Sequence, residues 1–229
     1  MDKLAKIQRP LGLLTLVTLA AGLYMVFTAP VDFQQGNSVR ILYAHVPSAK
    51  LALGMYLVLT IASALYLWKR TETLDIIAEA AAPVGALFAL VTLASGSIWG
   101  KPMWGAWWAW DARLTSVLVL LIIYVGIIAL RHSIEDPRKS SQASAVLALV
   151  GFVDLPIIHF SVVWWRTLHQ PASMSGPGKI AIVGPLLPPL LVMSAAFLLM
   201  GAYLLVVKSR EVAARRQLEA LDMGSSHHD

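Results

Sequence analysis

The 229-residue sequence contains no cysteine. Disulfides, thiolate metal sites, iron–sulfur clusters and cysteine nucleophiles are therefore excluded. Charge is scarce as well: 14% of residues are Asp, Glu, Lys or Arg and 58% are hydrophobic, where a soluble domain runs at about 25% and about 45–50%. The scarcity is organised. Residues 10–31, 51–68, 80–100, 114–130, 140–153 and 180–207 carry no formal charge, and the fifth run resumes after Asp154 as far as Trp165. A bilayer core needs about 20 predominantly apolar helical residues, and backbone groups cannot stay unpaired in lipid. A soluble globular enzyme is excluded. The fold class expected is an all-α integral membrane protein, a six-transmembrane-helix bundle.

The spans fall at about 10–29, 46–68, 76–98, 114–130, 143–163 and 185–207. The first follows Lys3, Lys6 and Arg9 as a signal peptide would, but it lacks a clear small-x-small cleavage site before Pro30 and is expected to be retained. Orientation follows the positive-inside rule. Twelve Lys and Arg residues lie on one side of the spans and six on the other, so both termini are expected to be cytoplasmic. The loops at 30–45, 99–113 and 164–184 are then outer. This distribution also accounts for the net charge of +5 and the pI near 9.6 without nucleic acid, because the basic residues sit at segment ends rather than in one stripe.

Tryptophan is distributed unevenly. Trp99, Trp104, Trp107, Trp108, Trp110, Trp164 and Trp165 fall in or beside outer loops, and only Trp68 sits at the inner boundary. An interfacial aromatic belt populates both faces. The lopsided set reads instead as a binding surface for a flat, apolar ligand. His45 opens the second span and His169 follows Trp164 and Trp165 in the third outer loop, with His159 about a turn inside the fifth helix. Neutral imidazole is a standard axial ligand of haem iron, so His45 and His169 are the candidate ligands and His159 a secondary candidate. Arg40, Lys101, Arg113 and Arg166 lie on the same side and are candidates for the haem carboxylates. They could equally close helix ends, and Asp111 could serve as the N-cap of the fourth helix. Asp154 and Glu79 are intramembrane acids: Asp154 is read as hydrogen-bonding inside the bundle near a break at Pro156, Glu79 as reaching inner-surface water, and a proton relay is the alternative.

The stretch Trp104-Gly-Ala-Trp-Trp-Ala-Trp-Asp111-Ala-Arg-Leu-Thr-Ser116 resembles the WWD signature of haem-handling membrane proteins. Together with Ser95-Gly-Ser-Ile-Trp-Gly-Lys-Pro-Met, Gln34-Gln-Gly-Asn-Ser, Tyr43-Ala-His45-Val-Pro47, Leu155-Pro-Ile-Ile-His159 and Trp164-Trp-Arg-Thr-Leu-His169-Gln170, it is similar to the CcmC family of cytochrome c maturation. The resemblance spans roughly 30–170, in matching order. It implies b-type haem presented at the outer, periplasmic face of the bacterial inner membrane. It further implies delivery to the haem chaperone CcmE, alongside the ABC-type subunits CcmA and CcmB and the small protein CcmD. The family's axial histidines correspond to His45 and His169. Its haem platform and chaperone contact correspond to Trp104, Trp107, Trp108, Trp110 and Asp111, with Trp164 and Trp165 nearby.

No classical catalytic site is visible, and a haem-lyase-like assistance to attachment on the chaperone is the nearest approach to an enzyme. Two other readings use the same composition. A b-type electron-transfer or quinone-reacting subunit normally sets paired histidines deep in facing helices, and a plain ABC-transporter permease would use the tryptophans only as a belt.

Overall fold

The computed structural model describes residues 2–165, 167–169, 182 and 184–225. These residues form a bundle of seven α-helices: α1 (Asp2–Thr28), α2 (Leu42–Lys69), α3 (Glu72–Trp104), α4 (Ala112–Ser133), α5 (Pro137–Gly151), α6 (Asp154–Trp164) and α7 (Leu187–Ser225). Short 3-10 turns at Asn37–Ile41 and Gly184–Leu186 lead into α2 and α7. Because α5 and α6 continue one another, six segments are long and apolar enough to cross a membrane. The chain is a multi-pass membrane protein.

Local chemistry sets the helix ends. Glu72 and Asp75 occupy the first turn of α3, where carboxylates complement the helix dipole. Asp136 caps α5 by accepting from the Arg138 and Lys139 amides at 2.9 and 3.2 Å, with Pro137 at the first position. Pro188 and Pro189 fall in the first turn of α7, where the lost N–H groups cost little. The break between α5 and α6 lies at Phe152–Val153. Pro156 has no N–H for the Phe152 carbonyl, and the Leu155 amide takes that carbonyl instead at 3.1 Å.

Packing is closest between α2 and α3, while α1 lies against α7 at the edge. Tyr56 and Tyr124 are fully buried and meet edge to face at 5.1 Å. The Tyr56 hydroxyl donates to the Ala148 carbonyl at 3.0 Å and the Tyr124 hydroxyl to that of Ala52 at 2.7 Å, tying α2 to α5 and α4. Any side chain at Gly85 or Gly151 would overlap these hydroxyls.

One end of the bundle holds an acid–arginine network. Asp75 accepts from Arg131 at 2.6 Å, from Arg216 at 2.7 Å and from Ser141 at 2.7 Å. Glu79 pairs with Arg131, Arg215 and Arg216. Glu79 is thus a structural partner of three arginines rather than a group reaching surface water. Arg210 on α7 also donates to Gln8 on α1, so the first turns of α1 and the last turns of α7 share this end. Asp154 is buried in the first turn of α6, its Oδ2 without a hydrogen-bond partner among the described residues. The opposite end carries every tryptophan except Trp68, which lies in the last turn of α2.

Candidate functional site

The site is built at the tryptophan end from α2, α3, α4 and the segment after α6. His45 sits in the first turn of α2, which starts at Leu42, four residues before the expected start at 46. Its Nδ1 lies 3.0 Å from the Ser95 hydroxyl oxygen on α3. The Ser95 proton goes to the Val91 carbonyl at 2.6 Å, so the oxygen accepts from Nδ1–H of His45. That tautomer leaves Nε2 with its lone pair, free to bind a metal. Gly96 allows the close approach: a Cβ there would stand 3.1 Å from His45 Cε1.

α3 continues to Trp104, beyond the expected boundary at 98, because the helix ends where Gly105 adopts a left-handed φ of 77° and not where hydropathy falls. The Gly105 amide closes onto the Lys101 carbonyl, and Lys101 Nζ donates to the Gly105 carbonyl, both at 3.1 Å. Lys101 therefore terminates the helix and is exposed. Trp99 donates from Nε1 to Gln35 Oε1 at 2.8 Å. Gln35 is held in turn by a loop in which Asp32 Oδ1 accepts from the Gln34 and Gln35 amides. Trp99 meets Trp104 edge on at 5.1 Å, and Trp104 meets His169 at 5.4 Å. The His169 ring lies 6.2 Å from that of His45, centre to centre, with 34° between the planes. Two imidazoles binding opposite faces of one metal through nitrogen, at about 2.0–2.1 Å each, have ring centres roughly 6 Å apart.

The tryptophan segment leads into α4. The Ser97 hydroxyl donates to the Trp107 carbonyl at 2.6 Å and pins the segment to α3. Trp107 and Trp110 are 58% and 78% exposed, while Trp108 is half-buried and packs edge on against Trp110 at 5.4 Å. Asp111 caps α4, accepting from the Leu114 amide at 2.7 Å. Its other oxygen lies 3.8 Å from His169 Nδ1, too long for a hydrogen bond. Arg113 ties α4 to α6 through the Ser161 hydroxyl at 3.1 Å and the Ile158 and His159 carbonyls at 3.4 Å.

Between these elements lies a cavity of about 250 Å3, mostly apolar, whose walls include His45, His169, Trp99, Arg113 and His159. Burial pushes the His169 imidazole down to about 4, with His45 and Arg113 adding to the shift and Asp111 opposing it. The ring is neutral near pH 7, as a metal ligand must be. Arg40 Nε, Trp108 Nε1, Asp111 Oδ2 and His169 Nδ1 are buried without hydrogen-bond partners among the described residues. Such atoms also occur elsewhere, as at Arg131 Nε in the clamped end and Asp154 Oδ2 in α6, but these four are the ones that the polar edge of a ligand at this end could meet. Among the described residues no group of three or more His, Asp or Glu side chains could hold a bare metal ion.

The remaining sequence candidates sit at varying remove. Arg40 lies in the 3-10 turn before α2 and reaches the Phe27 carbonyl at 3.4 Å. His159 is exposed on the cavity rim, edge on to Phe160 at 4.7 Å. Trp164 stacks on Phe160 at 5.2 Å and meets Trp165 at 5.7 Å, forming an exposed aromatic strip along α6. Arg166 lies outside the described residues. Sequence reasoning assigned no role to Ser95 or Gln35. Ser95 and Gln35 stood inside quoted motifs, but their partners are 50 and 64 residues away, and no local pattern connects them.

The family model for heme exporter protein C, CcmC, matches residues 1–223. The heme exporter protein C of Bradyrhizobium diazoefficiens is 47% identical over 209 residues, covering 91% of this chain and 80% of the relative. That of Escherichia coli K12 is 44% identical over 203 residues, covering 88% and 82%. The Paracoccus denitrificans protein of the same name is 41% identical over 202 residues, covering 87% and 83%. The length and strength of these matches mean that the chain belongs to the CcmC family of heme exporter proteins.

Proposed function

We propose that this protein binds b-type haem at the tryptophan end, with His45 and His169 as axial ligands, and hands it to the haem chaperone CcmE. Membership of the heme exporter protein C family supports a role in haem handling for cytochrome c maturation. The observation that carries the ligand assignment is the pair of imidazoles 6.2 Å apart on the wall of an apolar cavity. Two nitrogens are too few donors for a bare transition metal but suit iron whose equatorial ligands come from a macrocycle.

In this reading Trp104 packs beside the iron site, and Trp107, Trp108 and Trp110 form the exposed platform from which haem is passed on. Asp111 orients that platform by capping α4. Arg113, on the cavity wall, faces the haem carboxylates, with Arg40, Lys101 and Arg166 at greater remove. The tryptophan end is periplasmic, the membrane is the bacterial inner membrane, and CcmA, CcmB and CcmD complete the export complex. The bound group supplies the iron and the porphyrin edge that is transferred. The protein's own residues hold, orient and release it.

An electron-transfer subunit fits less well, because His169 lies beyond the end of α6 rather than deep in a facing helix. The test is the absorption spectrum of full-length protein purified from haem-replete cells. Haem should co-purify with the wild type in a six-coordinate form and be lost or altered with His45→Ala or His169→Ala. Unaltered spectra in both variants would remove the ligand assignment.

A further inference from the structure

The two candidate ligands are held in different ways. His45 is fixed by the hydrogen bond from its own ring to Ser95 on α3. His169 has no such bond: its Nδ1 is without a partner among the described residues, and Asp111 stands 3.8 Å away. Its ring is placed instead by edge contact with Trp104 at 5.4 Å. What holds Trp104 leads back along α3. Gly100 lets the indole fold onto the helix, since a Cβ there would stand 3.0 Å from Trp104 Cε3. Trp99 braces the same indole edge on at 5.1 Å. Ser95 and Trp99 are four residues apart in α3, so one face of that helix supports both imidazoles.

Trp99 is tethered in turn to a side chain outside α3. Its Nε1–H donates to Gln35 Oε1 at 2.8 Å, and because an indole nitrogen can only donate, the amide must present its oxygen. The loop that carries Gln35 is closed on itself. Asp32 and Gly36 exchange backbone hydrogen bonds at 2.9 and 3.3 Å, and Asp32 Oδ1 accepts from the Gln34 and Gln35 amides. Gly36 takes a φ of 56°, which a side chain would strain. Gln35 is also part of the cavity wall. We propose that Gln35 is the positioning residue of His169, acting through Trp99 and Trp104. It sets how the second imidazole faces the iron, while Ser95 sets the first independently. The proposal rests on the haem-binding reading above.

The test uses full-length protein in lipid nanodiscs with isotope-labelled histidine, the ring resonances being assigned from His45→Ala and His169→Ala. In ligand-free protein, Gln35→Leu should move the His169 resonances and leave those of His45 in place. With ferric haem it should convert part of the low-spin iron to high-spin and weaken binding about tenfold, as loss of an outer-shell partner does. Gln35→Glu, which keeps an oxygen acceptor at the same reach, should restore both. Trp99→Phe alone should move the same His169 resonances, and it carries the test if Gln35→Leu does not fold. The double variant should match Trp99→Phe rather than add the two effects, because no indole donor is then left unpaired. Unmoved His169 resonances in Gln35→Leu, or in Trp99→Phe where the former does not fold, would overturn the role of Gln35. Additive effects in the double variant, or equal movement of the His45 and His169 resonances, would overturn it as well. A haem spectrum insensitive to His45→Ala and His169→Ala would instead remove the reading on which it rests, while the ligand-free resonances would still report the tether.

Discussion

At the scale of single residues, the site depends on which nitrogen of each histidine is free. Ser95 gives its proton to the Val91 carbonyl and so accepts from His45 Nδ1. Outer-shell partners of this kind typically change metal affinity by about 10–100-fold. Ser95→Ala is expected to weaken haem binding at least about tenfold without lowering the thermal midpoint measurably, as haem titration and a melt of the same sample would record. His169 makes a prediction about pH. Its pKa is depressed to about 4 in the fold, whereas an unfolded imidazole titrates near about 6.5. As pH falls, the unfolded chain takes up the proton first, so the stability linked to neutral His169 is complete above about 6.5 and is lost as pH drops toward 4. In ligand-free protein the His169 ring resonances should move near pH 4 rather than near the ordinary value. A midpoint near the ordinary value would show that the ring is not buried.

At the scale of elements, Asp111 joins two functions that substitution can separate. It caps α4 and places a second carboxylate oxygen beside His169. Asn caps about as well as Asp, whereas Ala forfeits about 0.5–2 kcal/mol. Asp111→Asn should therefore keep the thermal stability of the wild type and alter only the haem spectrum. Asp111→Ala should lose both, and equal melts for the two variants would mean that the cap contributes nothing.

Hydropathy read the elements well in their middles and poorly at their ends. The run ending at Ile98 hid six further helical residues, since Gly105, not polarity, stops α3. Pro156 announced a break in the fifth span, but the irregular turn falls earlier, at Phe152–Val153, where the carbonyl lost to proline must find another donor. The histidines and tryptophans were legible because their types are rare in lipid and cluster on one side. The acid–arginine network was not, because Asp75, Arg131 and Arg216 come from three distant helices and each looked like an ordinary boundary charge.

At the scale of the whole molecule, the two ends do different work. The network of Asp75, Glu79, Arg131, Arg215 and Arg216 clamps α3, α4 and α7 at one end, and the cavity and its aromatic rim lie at the other. The count of twelve basic residues against six predicts that the clamped end is cytoplasmic. The absence of native cysteine makes this simple to check. A membrane-impermeant maleimide added to intact spheroplasts should label Trp110→Cys and leave Glu135→Cys, exposed between α4 and α5, untouched until the membrane is opened, and the reverse pattern would invert the topology.

The central claim concerns His45 and His169, and electron paramagnetic resonance of the ferric, haem-loaded protein tests it most directly. Two imidazoles on one iron give a low-spin signal. The account predicts low-spin haem in the wild type, with conversion to high-spin or loss of haem in both His45→Ala and His169→Ala. An unchanged low-spin signal in both variants would contradict it.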